Sequence, residues 1–94
     1  MIIVSGRITV RPGQRADFLN RSMQAVRIAR TTPGCLDFVV AADPLEEDRV
    51  NVYEAWNDTE SLLAFRRSGP SADMAALIIR LDIQRHEVSS SGSP

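Results

Sequence analysis

Residues 50 to 57, Val-Asn-Val-Tyr-Glu-Ala-Trp-Asn, bring a carboxamide, a phenol, an acid and the chain's single tryptophan close together. Glu54 has the chemistry of a general base or acid, provided its side chain reaches a substrate rather than an arginine partner. Trp56 is suited either to an aromatic ligand or to helix–sheet packing, and Tyr53 either to packing or to hydrogen bonding at a subunit interface. His86 is the only side chain that titrates near neutrality by default, but it stands among alternating polar residues, where a surface or interface rim is the plainer role. Cys35 has no histidine near it in sequence, so nucleophilic catalysis would need His86 to approach it in the fold. The acids Glu46, Glu47 and Asp48 lack the glycine and ligand spacing of a calcium loop, and one histidine with one cysteine argues against a zinc site.

The elements that must carry these residues can be read from periodicity. Ile2 to Val10 is rich in β-branched residues and is broken by Pro12-Gly13. From Arg15 the period changes: Phe18, Leu19, Ser22, Met23, Val26 and Ala29 recur at three- and four-residue steps, predicting an amphipathic helix. Thr-Thr-Pro-Gly at 31 to 34 stops it, with Arg27 and Arg30 at the negative end of its dipole. Residues 35 to 41 predict a second strand with Leu36, Phe38 and Val40 on one face and Cys35, Asp37 and Val39 on the other. After a polar turn, the 50–57 segment is the third strand. A second helix starts at Asn57 or Asp58, with Glu60 placed to close a capping box on Asn57 and with Leu62 and Phe65 on its buried stripe. Beyond the Ser-Gly-Pro break at 68 to 70, Leu81, Ile83 and Arg85 alternate with Asp82, Gln84 and His86, predicting a fourth strand from about Leu77 to Val88.

This order, β-α-β-β-α-β, predicts an α+β ferredoxin-like sandwich: a four-stranded antiparallel sheet with both helices on one face. The first three strands carry apolar residues on both faces, and two helices cannot cover both. A homodimer packed sheet to sheet is the economical solution.

Composition narrows the function classes. The 94 residues suffice for one domain, read as 1–88, followed by a low-complexity tail at 89–94 expected to be disordered. The 24% charged and 44% apolar content is ordinary for a globular protein. All 11 basic residues are arginines against 12 acids, a balance of −1 that offers no clustered positive footprint for nucleic acid or anionic membrane. No apolar run approaches the roughly 18 residues of a spanning helix, and no signal-peptide pattern opens the chain, so the cytoplasm is the expected location.

Three stretches, IIVSGRITVRPGQRADFL, TTPGCLDFVVAADP and VNVYEAWNDTESLLAF, resemble in order the segments of the antibiotic biosynthesis monooxygenase (ABM) domain. They are a strand ending in Pro-Gly, a helix ending in Pro-Gly-Cys, and a strand ending in Glu-x-Trp before a short helix. The resemblance covers about residues 2 to 88. It implies the dimeric α/β-barrel arrangement of ferredoxin-like protomers. It also implies oxygenation of quinols or polycyclic aromatic polyketides without metal or flavin, in a pocket between sheet and helices of one protomer. Trp56 matches the family tryptophan and Glu54 the acid two positions before it. Four positions before the tryptophan, where polyketide oxygenases of the family carry asparagine, stands Val52; Asn51 is one residue off and points to the other face. Phe65 stands where many relatives have histidine. Heme-degrading relatives need a tryptophan and a histidine around the second helix, and SLLAFRRSGPS holds neither.

Cofactor-free oxygenation needs a substrate that loses a proton easily and reduces dioxygen itself, so the protein supplies a dry pocket, a base and a cation or donor for the phenolate. On this reading Glu54, Arg66 and Arg67 are the catalytic candidates, and Trp56, Phe65, Leu62 and Val52 line the substrate site. Neither cofactor nor metal is expected; the partners are a second copy and a small phenolic, quinol-like or polycyclic aromatic substrate. Arg66 and Arg67 have the plainer alternative of a solvated helix end. A non-catalytic aromatic-ligand-binding or accessory protein is the second reading, drawn from Val52 and Phe65. A scaffold whose core merely resembles a pocket is the third.

Overall fold

The computed structural model describes residues 1–68 and 74–94. Strand β1 (Ile2–Val10) leads through helix α1 (Arg15–Arg30) to β2 (Cys35–Ala42) and β3 (Arg49–Trp56). Helix α2 (Thr59–Ser68), a short 3₁₀ turn (Ala75–Leu77) and β4 (Ile78–Glu87) follow. The strands form one antiparallel sheet in the order β2-β3-β1-β4, the ferredoxin-like topology that the element order predicts. The Ser-Gly-Pro break falls largely on residues outside the described ones. Among the described residues no helix is long and apolar enough to cross a membrane.

Alternation on β1 and β3 sorts the side chains. Ile2, Val4, Ile8 and Val10 and, opposite them, Val50, Val52, Glu54 and Trp56 face the helices and are buried. Phe18, Ser22 and Ala29 are the buried residues of α1, and Leu62 is fully enclosed under α2. Met23, read with the apolar stripe of α1, is 47% exposed at its margin. Removing side chains such as Phe18 and Leu62 from water stabilises the fold by about 1.5–3 kcal/mol each.

The core has two lobes. One gathers Ile2, Val4, Ala29, Phe38, Trp56 and Leu62, with Cys35 and Phe65 against it. The other gathers Ile8, Val10, Phe18, Val50 and Val52. Val40 and Ile83 touch both.

Two local details depart from the sequence reading, the register of β2 and the capping box of α2, and a third adds to it. The β2–β3 register shifts between Cys35 and Asp37, so Cys35 pairs with Trp56 while Asp37 pairs with Ala55. Leu36 is the extra residue of this bulge and is 53% exposed, rather than sharing the face of the buried Phe38 and partly buried Val40. At the start of α2, Asp58 is the cap: its Oδ1 accepts the Ser61 N–H at 2.8 Å, and Glu60 closes no box on Asn57. Arg30 does more than face a dipole, since its Nε donates to the Phe38 carbonyl at 2.8 Å and ties α1 to the β2 edge.

Asn51 points away from the helices, as alternation requires, and belongs to the hairpin. Its Nδ2 donates to Asp43 Oδ1 at 2.9 Å, and its Oδ1 accepts from Arg49 Nε at 2.7 Å. The bond from Asn51 Nδ2, together with the Glu46 and Leu45 N–H groups and Arg49, holds the Asp43 carboxyl down at about 2.

Candidate functional site

β3 presents Glu54 and Trp56 on its helix side, two residues apart and therefore on one face. Cross-strand pairing places Phe38 and Val4 beside Glu54, and Cys35 and Ile2 beside Trp56. The indole Nε1 of Trp56 donates to Glu54 Oε1 at 3.0 Å in a buried setting. The partner of Glu54 is thus the tryptophan; among the described residues no arginine reaches it as an ion pair. Glu54 keeps 9% of its surface exposed. Among the described residues every buried side-chain nitrogen or oxygen has a hydrogen-bond partner, and Glu54 Oε2 has none.

Burial pushes the Glu54 carboxyl above its ordinary value, because the charged form loses its hydration. The Trp56 hydrogen bond and the positive charge of Arg66 oppose this only in part. A carboxylate moved toward neutrality in an apolar surround has the tuning of a general base.

α2 completes the surround. Leu62 is fully buried against Trp56's lobe, and Phe65 lies half-buried at its edge. Three rings meet there: Trp56 and Phe65 are tilted at a centroid distance of 5.3 Å, Phe38 and Phe65 meet edge-on at 5.5 Å, and Phe38 meets Trp56 edge-on at 6.5 Å. Arg66 and Arg67 are exposed on the last turn of α2, and of the two it is Arg66 whose charge is felt at Glu54.

The structure thus assembles Glu54, Trp56, Leu62, Phe65 and, at longer range, Arg66. It leaves Val52 in the other lobe of the core and Arg67 in solvent. Phe38 is the residue the sequence reading passed over. It stood in the predicted core of the second strand, and only its pairing opposite Glu54 makes it part of this site.

Other candidates separate. Cys35 on β2 and His86 on β4 lie on opposite edges of the sheet and cannot form a nucleophile–base pair. The Cys35 thiol is pushed up by burial and by the negative charges of Glu54 and Asp37, which favours the unreactive protonated form. A surface hollow of about 490 Å³ lies along the β2 edge beside Arg30, Cys35 and Leu36. Another of about 400 Å³ lies on the far face among Arg7, Arg49, Arg80 and Asp82. Neither is lined by Trp56, which is wholly enclosed. Among the described residues no three His, Cys, Asp or Glu side chains converge as metal ligands.

The fold has close counterparts. A proposed antibiotic biosynthesis monooxygenase of Deinococcus radiodurans superposes with a TM-score of 0.86 over 100% of this chain and 98% of its own, at 17% identity. A Pseudomonas aeruginosa protein does so with a TM-score of 0.83 over 95% and 94%, at 19% identity. A proposed antibiotic biosynthesis monooxygenase of Chloroflexus aurantiacus shares 30% identity over 97% of this chain and 96% of its own, with a TM-score of 0.73. An uncharacterised protein of Synechocystis is 28% identical over 61 residues; these are 65% of this chain but only 42% of that protein, so the match spans less than half of its length. The profile of the antibiotic biosynthesis monooxygenase family matches residues 1–77, across both strands and helices that build the Glu54–Trp56 site, and the chain belongs to that family.

Proposed function

We propose that the protein is a cofactor-independent monooxygenase acting on a phenolic, quinol-like or polycyclic aromatic substrate. The observation that carries this reading is Glu54, a buried carboxyl with a raised pKa, one oxygen bound to Trp56 and the other without a partner among the described residues, beside the ring cluster of Phe38, Trp56 and Phe65. An anthrone-like substrate illustrates the chemistry. Glu54 Oε2 takes the acidic proton, leaving an electron-rich anion whose charge Arg66 steadies from the end of α2. That anion gives electrons to dioxygen, and a carbon–oxygen bond forms to give a hydroperoxide. Loss of water with the second hydrogen of the former methylene leaves a carbonyl, so one oxygen atom enters the product and the other leaves as water.

The same reading includes a homodimer joined through the sheet face opposite the helices. Ile3, Val39, Tyr53 and Ala55 lie together on one half of that face, and Tyr53 is 40% exposed in the protomer. An apolar half-face of this kind, beside a charged half carrying Arg7, Arg49, Arg80 and Asp82, suits self-association.

Oxygen-electrode measurements with a panel of hydroquinones and anthrones test the function. Uptake above the buffer rate, lost in Glu54→Gln, is the expected result; uptake at the buffer rate across the panel defeats the proposal. The complete enclosure of Trp56 favours a scaffold whose core merely resembles a pocket, and a second reading, a binder of aromatic ligands without turnover, rests on Val52 and Phe65, apolar where the family's oxygenases carry polar residues. Saturable quenching of Trp56 emission with no oxygen consumption selects it.

A further inference from the structure

We infer that the site is self-occluded and that Phe65 is its gate: the ring of Phe65 occupies the position that the aromatic ring of a ligand takes when it binds. The inference rests on the proposal that aromatic molecules bind at this site, and it concerns how they enter.

Trp56 is completely enclosed, so no ligand reaches it unless a neighbouring group moves. Of the three rings, Phe38 retains 6% of its surface and Trp56 none, and both stand on strands held in the sheet ladder. Phe65 is only half-buried and sits on the last turns of a ten-residue helix. It is the most exposed of the three rings. Its removal opens a space bounded by the face of Trp56 at 5.3 Å and by Phe38 at 5.5 Å, both ordinary separations for an aromatic guest. Glu54 borders that space, because it is bonded to the Trp56 indole and paired across strands with Phe38.

Among the described residues the attachments of α2 are unequal in the way a gate requires. Its start is held firmly: Asn57 N–H donates to the Gly34 carbonyl at 2.8 Å, and Asp58 caps Ser61. Ser61 packs so closely on Gly34 that even a methyl group there would collide with it. Leu62 is fully buried one turn on. Past Phe65 come Arg66 and Arg67, both exposed. The site therefore opens by rotation of Phe65 and a shift of the last turn of α2 while its first turn stays in place. The ligand class that fits is a flat neutral ring carrying an acidic hydroxyl toward Glu54.

Stopped-flow quenching of Trp56 by 4-nitrophenol at pH 6 tests the gate. This phenol is largely neutral there and too electron-poor to be oxidised, so binding is read apart from turnover, and the single tryptophan makes the signal unambiguous. Association with Phe65→Ala is expected to be at least about tenfold faster than with the wild type, with Phe65→Leu in between. Equal rates in wild type and variants, or no quenching in any of them, overturn the gate. Hydrogen exchange of the unaltered protein provides a test that needs no variant. The amides of residues 65–67 should exchange at least about tenfold faster, corrected for sequence, than those of Leu62 and Leu63, and equal protection also overturns it. Faster association in Phe65→Ala together with a failed oxygen-uptake panel leaves the gate standing and removes only the oxygenase.

Discussion

Trp56 Nε1 and Glu54 Oε1 lie 3.0 Å apart between residues two positions apart on one face of β3. Among the described residues the indole N–H is the only hydrogen bond this buried carboxyl receives, so the two side chains are coupled. Trp56→Phe keeps an aromatic ring but removes the donor. It should cost about 1–3 kcal/mol at pH 7, the usual penalty for leaving a buried charged group without its partner. It should also raise the Glu54 pKa further. Urea denaturation at pH 7 and pH 4 checks this, with the larger loss expected at pH 7.

The raised Glu54 pKa sets the sign of a pH dependence. The folded protein binds this proton more tightly than the unfolded chain, whose ordinary value is 4.5. Its contribution therefore favours folding at low pH, declines as pH rises from about 4.5 to the folded value, and is level above it. Glu54→Gln lacks that decline. The variant should match the wild type below about pH 4 and exceed it at pH 7, while oxygen uptake falls by about 100-fold or more. Parallel stability curves from pH 4 to pH 8 would show that Glu54 does not titrate in this way.

Arg66 and Arg67 are neighbours in sequence with different reach. The charge of Arg66 lowers the Glu54 pKa, so Arg66→Ala should move the acidic limb of the pH–rate profile upward. Arg67→Ala should leave that limb in place. Both changes are at exposed positions and should alter stability by no more than about 0.5 kcal/mol. An identical pH–rate profile for Arg66→Ala and wild type would remove Arg66 from the site.

Gly34 joins the end of the first crossover to the start of α2. Its φ of +87° disfavours any residue with a Cβ, and a methyl group would meet the Ser61 Oγ and Cβ. Gly34→Ala should destabilise by about 1–3 kcal/mol. Adding Ser61→Gly removes the collision but not the backbone cost, so the double variant should fall between Gly34→Ala and Ser61→Gly in thermal melts. Full wild-type stability of Gly34→Ala would show that neither constraint operates.

Much of the protein was legible without coordinates because period and punctuation are local properties. Alternation at Ile2 to Val10 and Val50 to Trp56, three- and four-residue steps from Phe18 to Ala29, and the Pro-Gly breaks are carried by neighbouring residues, and they set the element order and so the topology. The same alternation separated Asn51 from Trp56 correctly. Register could not be read this way. The bulge that expels Leu36 and turns Cys35 toward Trp56 is chosen by how β2 settles on β3, a matching of two strands distant in sequence.

The site divides along the same line. Sequence alone determined that Glu54 and Trp56 share a face and that Leu62 and Phe65 share a helical stripe, since both follow from the geometry of a single element. Only the tertiary structure decided that the carboxyl is held by the indole, that Phe38 is the third ring, that Val52 lies in the other lobe, and that Arg66 is felt at Glu54 whereas Arg67 is not. Those relations join residues on different elements, or depend on what burial does to a charge. They exist only once the sheet and helices have closed on one another and excluded water.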